Sequence, residues 1–564
     1  MNIVVIGGVA GGMSAAARAR RLNEEASIIV LERGDYVSFA NCGLPYHISG
    51  EIEDRSELLL HTPETLKSRL NLDVRLRTEA VRIDREKRTV TARGPEGEEE
   101  LAYDALILSP GAATVMPPIE GLPHPSAHTL RTINDMDAII ARLSPLGEHP
   151  RAVVVGAGFI GLEAVEALRE RGAAVSLVEF APHVLPPIEA ELASYVSGEL
   201  ARHDVDVREG TSVQAIADND GAARLTLSDG STLDADLVIL ATGVAPDSAL
   251  AKDAGLELGE RGAIVVDGYL QTSDPHIWAA GDAVQVRQRI GDQDLLGPVP
   301  LAAPANRHGR RAADAAILGA ERAVDQVGDA TAAPRVLGTA IVRVFGAVAA
   351  LTGASRRTLD SLGVDYVTVH THPADHAGYY PGAEQMHIVA HFRRSDGLLL
   401  GAHIVGGNGV ANRINVFATA LKAGMTASDL ADLDLAYAPP FGSAKDPVQM
   451  TGFTAQNILA DLMPVWYAED LDEVRESSLL LDTRSAGECA RGMVSGSLNV
   501  PHTEVRERLE EIREAAAGRP IAVLCASGVR SYLATRILRE KGFEARNLSG
   551  GAETLAHVRS DWAD

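Results

Sequence analysis

The sequence predicts an α/β protein of several domains: two that each open on a strand, a glycine-rich turn and a helix, then a strand-rich α+β domain, then a smaller α/β domain at the C-terminus. Three observations carry this. The strand–glycine–helix pattern occurs twice, about 150 residues apart. From about Arg335 the chain turns into alternating β-branched strands. After Met463-Pro464 a new strand–loop–helix pattern begins. The length, 564 residues, is more than one core usually covers.

The first unit reads Ile3-Val4-Val5-Ile6, then Gly7-Gly8-Val9-Ala10-Gly11-Gly12, a helix over Met13–Leu22 and a strand Ser27–Leu31 that closes on Glu32. Glycines let the backbone turn tightly and approach a pyrophosphate at a helix N-terminus, and an acidic residue some 20 positions on binds ribose hydroxyls. Val9 stands where the middle glycine of the dinucleotide fingerprint would be. The second unit is complete: Ala152–Val155, then Gly156-Ala157-Gly158-Phe159-Ile160-Gly161, a helix through Arg171, and a strand Ala174–Val178 closing on Glu179. Glu179 accepts from a ribose 2′-hydroxyl and repels a 2′-phosphate, and Phe180 follows it with no adjacent arginine, which favours NADH over the alternative, NADPH. Two such Rossmann-like folds suit one carrier for a flavin and one for a nicotinamide. Tyr103–Ala112 and Ala235–Gly243 are matching strand-to-glycine stretches at which the chain crosses between them, and Ile277–Ala283 adds a strand, a tight turn and Asp282, suited to a ribityl hydroxyl.

Composition limits the partners. Net charge is −25, which argues against phosphate-backbone binding and so against nucleic acid. Three isolated cysteines, Cys42, Cys489 and Cys525, imply neither a disulfide scaffold nor a metal site. The chain enters a strand at once, without a basic leader and apolar core, and no apolar run reaches membrane-spanning length, so the expected address is the cytoplasm.

Residues 1–450 resemble the two-dinucleotide-fold flavoprotein disulfide reductases. The resemblance implies an FAD-binding domain over 1–112 and 237–325, an NADH-binding domain over 113–236, a dimerisation domain over 335–450 that makes a homodimer, and a linker over 451–464. It implies cofactor contacts at Gly7, Gly8, Ala10, Gly11 and Gly12, at Glu32, Arg33, Val81, Ser109, Gly111 and Asp282, and at Gly156, Gly158, Phe159, Ile160, Gly161, Glu179 and Gly243.

Most such reductases carry two cysteines after the flavin motif; this chain has one, in Ser38-Phe39-Ala40-Asn41-Cys42-Gly43-Leu44-Pro45-Tyr46. The pattern looks like the single-cysteine branch: coenzyme A disulfide reductases, NADH oxidases and NADH peroxidases. A thiolate beside a flavin needs a lowered pKa, which a helix N-terminus supplies. In the coenzyme A disulfide reductases the cysteine forms a mixed disulfide with coenzyme A. The resemblance places Ser14, Arg18, Arg21, Ser38, Asn41 and Lys445 around that ligand, with Asn306 where the family has a histidine. It also sends two tyrosines into the partner's active site: Tyr437 and either Tyr379 or Tyr380.

The last stretch resembles a single rhodanese domain, about 465–564. It carries Ser478–Arg484, Gly492–Pro501, the strand Pro520–Leu524 leading into Cys525-Ala526-Ser527-Gly528-Val529-Arg530-Ser531, and Asn547–Gly551. A cysteine between strand and helix lies in a cradle of backbone N–H groups that holds an anionic persulfide, with Arg530 closing the loop. Cys489 has no motif and reads as structural. Together these imply an FAD-dependent enzyme that uses NADH to reduce persulfides or polysulfides, such as coenzyme A persulfide, to thiol and sulfide. Coenzyme A disulfide reduction, an NADH oxidase or peroxidase, and a redox-responsive binding protein with a docking rhodanese module are the alternatives.

Overall fold

A computed structural model of the protein describes residues 1–147, 149–319 and 332–563. Residues 320–325 of the expected second FAD segment therefore lie outside the described residues. The chain forms two compact units, Met1–Pro182 with Asp204–Gly338, and His183–His203 with Thr339–Asp564.

In the first unit two five-stranded parallel sheets repeat one plan. The first runs Ile277–Ala279, Ala105–Leu108, Asn2–Ile6, Ser27–Leu31 and Asp73–Arg75; the second runs Asp206–Arg208, Ala174–Val178, Arg151–Val155, Leu237–Leu240 and Ala127–His128. Strands covered on both faces must be apolar throughout, and Ile3–Ile6 and Ala152–Val155 are all buried. The helix after the first strand spans Ala10–Leu22, three residues earlier than expected, because the last glycines of the turn already take helical geometry. Its counterpart is Phe159–Glu170.

The crossings between the domains corrected one boundary. Ala112–Thr114 pairs antiparallel with Val244–Pro246, just beyond Gly111 and Gly243. The strand Leu237–Leu240 pairs with Ala152–Val155, so it belongs to the nucleotide sheet and not to the returning FAD segment expected from residue 237. The chain leaves a parallel sheet only at the end of a strand, and Gly243 (φ 98°) makes that exit. Residues 183–203, expected within the NADH domain, group with the second unit.

The second unit holds an antiparallel sheet ordered Ala340–Val344, Ala347–Gly353, Leu399–Gly406, His387–Arg393 and Tyr366–Thr371, with the helix Val410–Ala423 against it. The expected linker is instead mostly helix. Pro447–Leu459 starts at a capping box on Asp446 with Pro447 in its first turn, and packs on Tyr366–Thr371. Beyond it, a parallel sheet runs Val465–Trp466, Ala545–Leu548, Ile521–Leu524, Leu479–Asp482 and Leu498–Asn499. Its two faces bury separate apolar clusters, one around Leu481, Val523 and Leu538, the other around Trp466, Leu524 and Leu555. Among the described residues no helix is long and apolar enough to cross a membrane.

Candidate active sites

The two glycine turns are built alike. Gly7 and Gly156 sit at φ 101° and 102°, and a side chain on Gly12 or Gly161 would collide with the carbonyl of Gly7 or Gly156. Glu32 accepts from the N–H of Gly8 (2.8 Å) and of Gly34 (2.7 Å). Glu179 accepts in the same way from Ala157 (2.6 Å) and Ala181 (2.7 Å). Each acidic residue is thus fixed beside its turn. Both helices begin without a side-chain cap and without an acidic residue in the first turn. Their first N–H groups are left for an anion, which is the donor set a dinucleotide pyrophosphate needs. A side chain on Gly158 would meet nothing within 4 Å, so the second turn is open on that side.

Several of the other expected cofactor residues lie at the first turn or the crossings. Ser109 donates its N–H to Ile6 (2.7 Å), and its hydroxyl lies against Gly11. Gly111 (φ 77°) begins the first crossing. Val81 lies at the bulge between Ala80 and Arg82, where the ladder loses register. Arg33 is paired with Asp247 at 2.9 Å. Asp282 opens a short turn after Ile277–Ala279; burial pushes its carboxyl up, against the Arg131 guanidinium 4.0 Å away.

Cys42 is exposed, in the single turn Asn41–Gly43 that leads into the helix Leu44–Ser49. The lowered pKa expected from a helix N-terminus is not found. Desolvation, then the charges of Glu163 and Asp282, push the thiol up. A six-residue helix is a weak dipole, and burial followed by two carboxylates outweighs it. The loop is tied down around the sulfur. Ser38, in a left-handed conformation (φ 48°), donates its N–H to Gly8 (2.8 Å), Asn41 donates its side-chain amide to the Arg131 carbonyl, and the Tyr46 hydroxyl donates to Glu163 (3.2 Å).

Of the residues expected around coenzyme A, Ser14 donates to Asn306 (2.6 Å), which joins the two helices that carry them. Arg21 and Lys445 are exposed. Arg18 is anchored through Nε to Asp314, a fully buried carboxylate (2.5 Å). Sequence reasoning missed Arg20, which is buried and donates to the carbonyls of Glu24, Leu70 and Asn71. It also missed Glu163, four residues beyond Phe159, whose contact with Tyr46 no local pattern reveals.

In the second unit the two candidate tyrosines have different neighbours. Tyr379 and Tyr437 share a hydroxyl–hydroxyl hydrogen bond of 2.9 Å, and both are exposed, Tyr379 at 77 %. Tyr380 instead turns its ring edge against His376. The hydrogen bond to Tyr437 raises the Tyr379 pKa.

The C-terminal loop has the expected form. Cys525 is buried, and the Ser531 hydroxyl donates to its sulfur at 3.1 Å. Gly528 (φ 89°) turns the chain into the helix Val529–Glu540, whose N-terminus has no side-chain cap. The loop is buttressed from behind: Asn547 donates to the Gly528 carbonyl (3.1 Å), and the N–H groups of Ala552 and Glu553 donate to Cys525 and Ala526 (2.8 and 2.9 Å). The Arg484 guanidinium grips buried Asp482 through Nε (3.0 Å) and Nη2 (2.6 Å). Arg530 makes a two-pronged pair with Glu488 (2.8 and 2.6 Å), a partner the sequence did not indicate. Cys489, next to it, is pushed up to about 11 by desolvation and by Asp482.

Two dinucleotide turns, a lone cysteine beside the first, and a paired-tyrosine domain define a nicotinamide- and flavin-linked disulfide oxidoreductase. The comparisons agree: residues 1–309 match the pyridine nucleotide-disulphide oxidoreductase family and 339–447 its dimerisation domain, so the chain belongs to that family, which implies FAD and NAD(P)H. Residues 463–556 match the rhodanese-like domain. Within the family it is a member of the coenzyme A disulfide reductase group fused to a rhodanese domain. It is 33 % identical over 457 residues to a coenzyme A disulfide reductase of Staphylococcus aureus, which spans 81 % of this chain and all of the relative. The crystal structure of reduced Bacillus anthracis CoADR-RHD superposes with a TM-score of 0.94 at 43 % identity, over 100 % of this chain and 99 % of that one. A NAD-dependent persulfide reductase from A. fulgidus superposes with a TM-score of 0.89 at 38 % identity, over 98 % and 100 %.

Proposed function

We propose that this enzyme uses NADH to reduce persulfides or polysulfides, coenzyme A persulfide foremost, to thiol and sulfide, with the rhodanese domain handling the sulfane sulfur. The observation that carries the reading is the presence in one chain of the lone Cys42 and of a fully formed Cys525 loop. The A. fulgidus relative, named for persulfide reduction, spans both parts.

When bound, FAD supplies the two-electron relay between nicotinamide and sulfur. The chain's own groups do the rest. The first-turn N–H groups after Gly7 and after Gly158 hold the two pyrophosphates, and Glu32 and Glu179 take the ribose hydroxyls. The Glu179 carboxylate disfavours a 2′-phosphate and selects NADH over NADPH. Cys42 holds the substrate sulfur as a mixed disulfide with coenzyme A, whose thiol stands in for a second cysteine. Ser14, Arg18, Arg21, Ser38, Asn41 and Lys445 position that ligand. In the homodimer the Tyr379–Tyr437 pair reaches the partner's site and donates a proton to the leaving thiolate. The sum is NADH, a proton and R–S–SH giving NAD⁺, R–SH and hydrogen sulfide, the two electrons breaking the S–S bond. Such a reaction suits the cytoplasm, where thiols such as coenzyme A are held reduced.

The S. aureus relatives favour a second reading, reduction of coenzyme A disulfide at the same Cys42. Mass spectrometry of enzyme purified without reductant tests the shared step. A coenzyme A adduct on Cys42 is expected; an unmodified Cys42 that takes up no coenzyme A from its disulfide overturns it.

A further inference from the structure

We propose that Glu488 is a specificity-determining residue: by neutralising Arg530 it makes the Cys525 loop select sulfur carried on an organic thiol over an inorganic anion such as thiosulfate. This deepens the reading of the rhodanese domain as the sulfane-sulfur handler, and rests on it. Within Cys525–Ser531 the only charged side chain is Arg530. Its guanidinium is held on both prongs by the Glu488 carboxylate while it also reaches the Cys525 thiol. Glu488 is itself fixed, accepting from the Ser485 hydroxyl (2.7 Å) and N–H (3.1 Å) in a capping box on the helix Ala486–Cys489. These contacts, the Arg530 pair first, hold its carboxyl below the usual carboxylate range, so it carries its charge near neutral pH.

A second observation points the same way. Val529 and Leu533, one helical turn apart on the helix that leaves the loop, are 59 % and 49 % exposed. The loop therefore offers an approaching donor apolar surface and a compensated cation. A dianion that would rely on Arg530 must first compete with Glu488, whereas the alkyl arm of an organic persulfide gains contact with Val529 and Leu533. In the transfer itself the Cys525 thiolate attacks the outer sulfur of R–S–SH. A new S–S bond forms on Cys525, the S–S bond of the donor breaks, and RS⁻ leaves and takes up a proton. The reaction is neutral in electrons and needs no added oxidant or reductant.

The test is single-turnover loading of Cys525 in the full-length holoenzyme without NADH, read by mass spectrometry as one added sulfur atom. The donors are coenzyme A persulfide and thiosulfate, and Cys525→Ser is the blank. The wild type should load from the persulfide. Glu488→Gln keeps the capping geometry but frees the cation, and should raise the rate from thiosulfate about ten-fold while leaving the persulfide rate nearly unchanged. An unchanged ratio, or equal changes with both donors, overturns the proposal and leaves Glu488 a brace. Salt gives a second check in wild type: a compensated loop predicts thiosulfate loading nearly independent of ionic strength, and a steep fall with salt contradicts it. Because NADH is absent, failure here is distinct from failure of the reductase reading, which sulfide release reports.

Discussion

His370 Nδ1 lies 2.8 Å from Ser549 Oγ, while its Nε2 lies 2.9 Å from Glu191. One buried imidazole thus joins the antiparallel sheet, the helix Ala190–Arg202 and the segment directly behind the Cys525 loop. His372 adds a bond to Thr554 (2.9 Å), and Tyr195 stacks between His387 (3.8 Å) and His557 (3.7 Å). The rhodanese domain is seated on the sheet by a polar, histidine-rich junction. Removing the Ser549 hydroxyl strands one side of His370 in a buried site. Ser549→Ala is expected to cost about 1–3 kcal/mol of stability, read as a lower denaturation midpoint at unchanged slope.

Buried histidines of the second unit set a pH dependence. Burial holds His387 and His403 down to about 4, below the ordinary 6.5, so they are neutral in the fold. The unfolded chain then binds more protons than the folded one between about pH 6.5 and 4, and stability falls as pH drops through that window. Glu189, whose carboxyl is held far down by its histidine partners, contributes stability that persists through the same window. The second unit should therefore melt several degrees lower at pH 5 than at pH 7. A midpoint that does not move contradicts this.

The two glycine turns can be separated by substitution. Gly12→Ala forces the first helix off its strand and should yield protein that loses flavin absorbance. Gly161→Ala should keep the flavin but slow its reduction by NADH at least ten-fold, because the same collision falls on the other turn.

Cofactor preference rests on Glu179. Replacing it with alanine removes both the ribose acceptor and the repulsion of a 2′-phosphate. The ratio of kcat/KM for NADPH over NADH should rise by roughly ten- to a hundred-fold, mostly from KM. Steady-state kinetics with each nucleotide settles the direction.

The tyrosine pair should act as a unit. Tyr437→Phe and Tyr379→Phe are each expected to lower kcat by about a hundred-fold with little change in the NADH KM, and the double variant should add little more. Tyr380→Phe, outside the pair, should leave kcat within about two-fold.

The parts legible in the sequence were those whose chemistry is local. A fingerprint needs its glycines and acidic residue within about thirty positions, so both turns and both of their carboxylates could be read directly. The Cys525 loop is seven consecutive residues, and its form was plain. What escaped notice depends on long-range pairing. Arg530–Glu488 spans 42 positions, Tyr46–Glu163 spans 117, and Arg18–Asp314 spans 296. The strand Leu237–Leu240 was assigned to the wrong sheet because a buried parallel strand reads the same in either. Residues 183–203 gave no sign that they leave their neighbours in sequence, since Glu189 and Glu191 take their meaning only from His391 and His370. At Cys42 the helix start is visible locally, whereas the burial and the Glu163 and Asp282 charges that push its thiol up are not.

The most direct measurement is anaerobic turnover of coenzyme A persulfide with NADH, scored by sulfide release. Sulfide should form in step with NADH oxidation, one for one, in the wild type and fall to background in Cys42→Ser. Full activity in Cys42→Ser, or NADH oxidation without sulfide, would contradict a reductase that works through that single thiol.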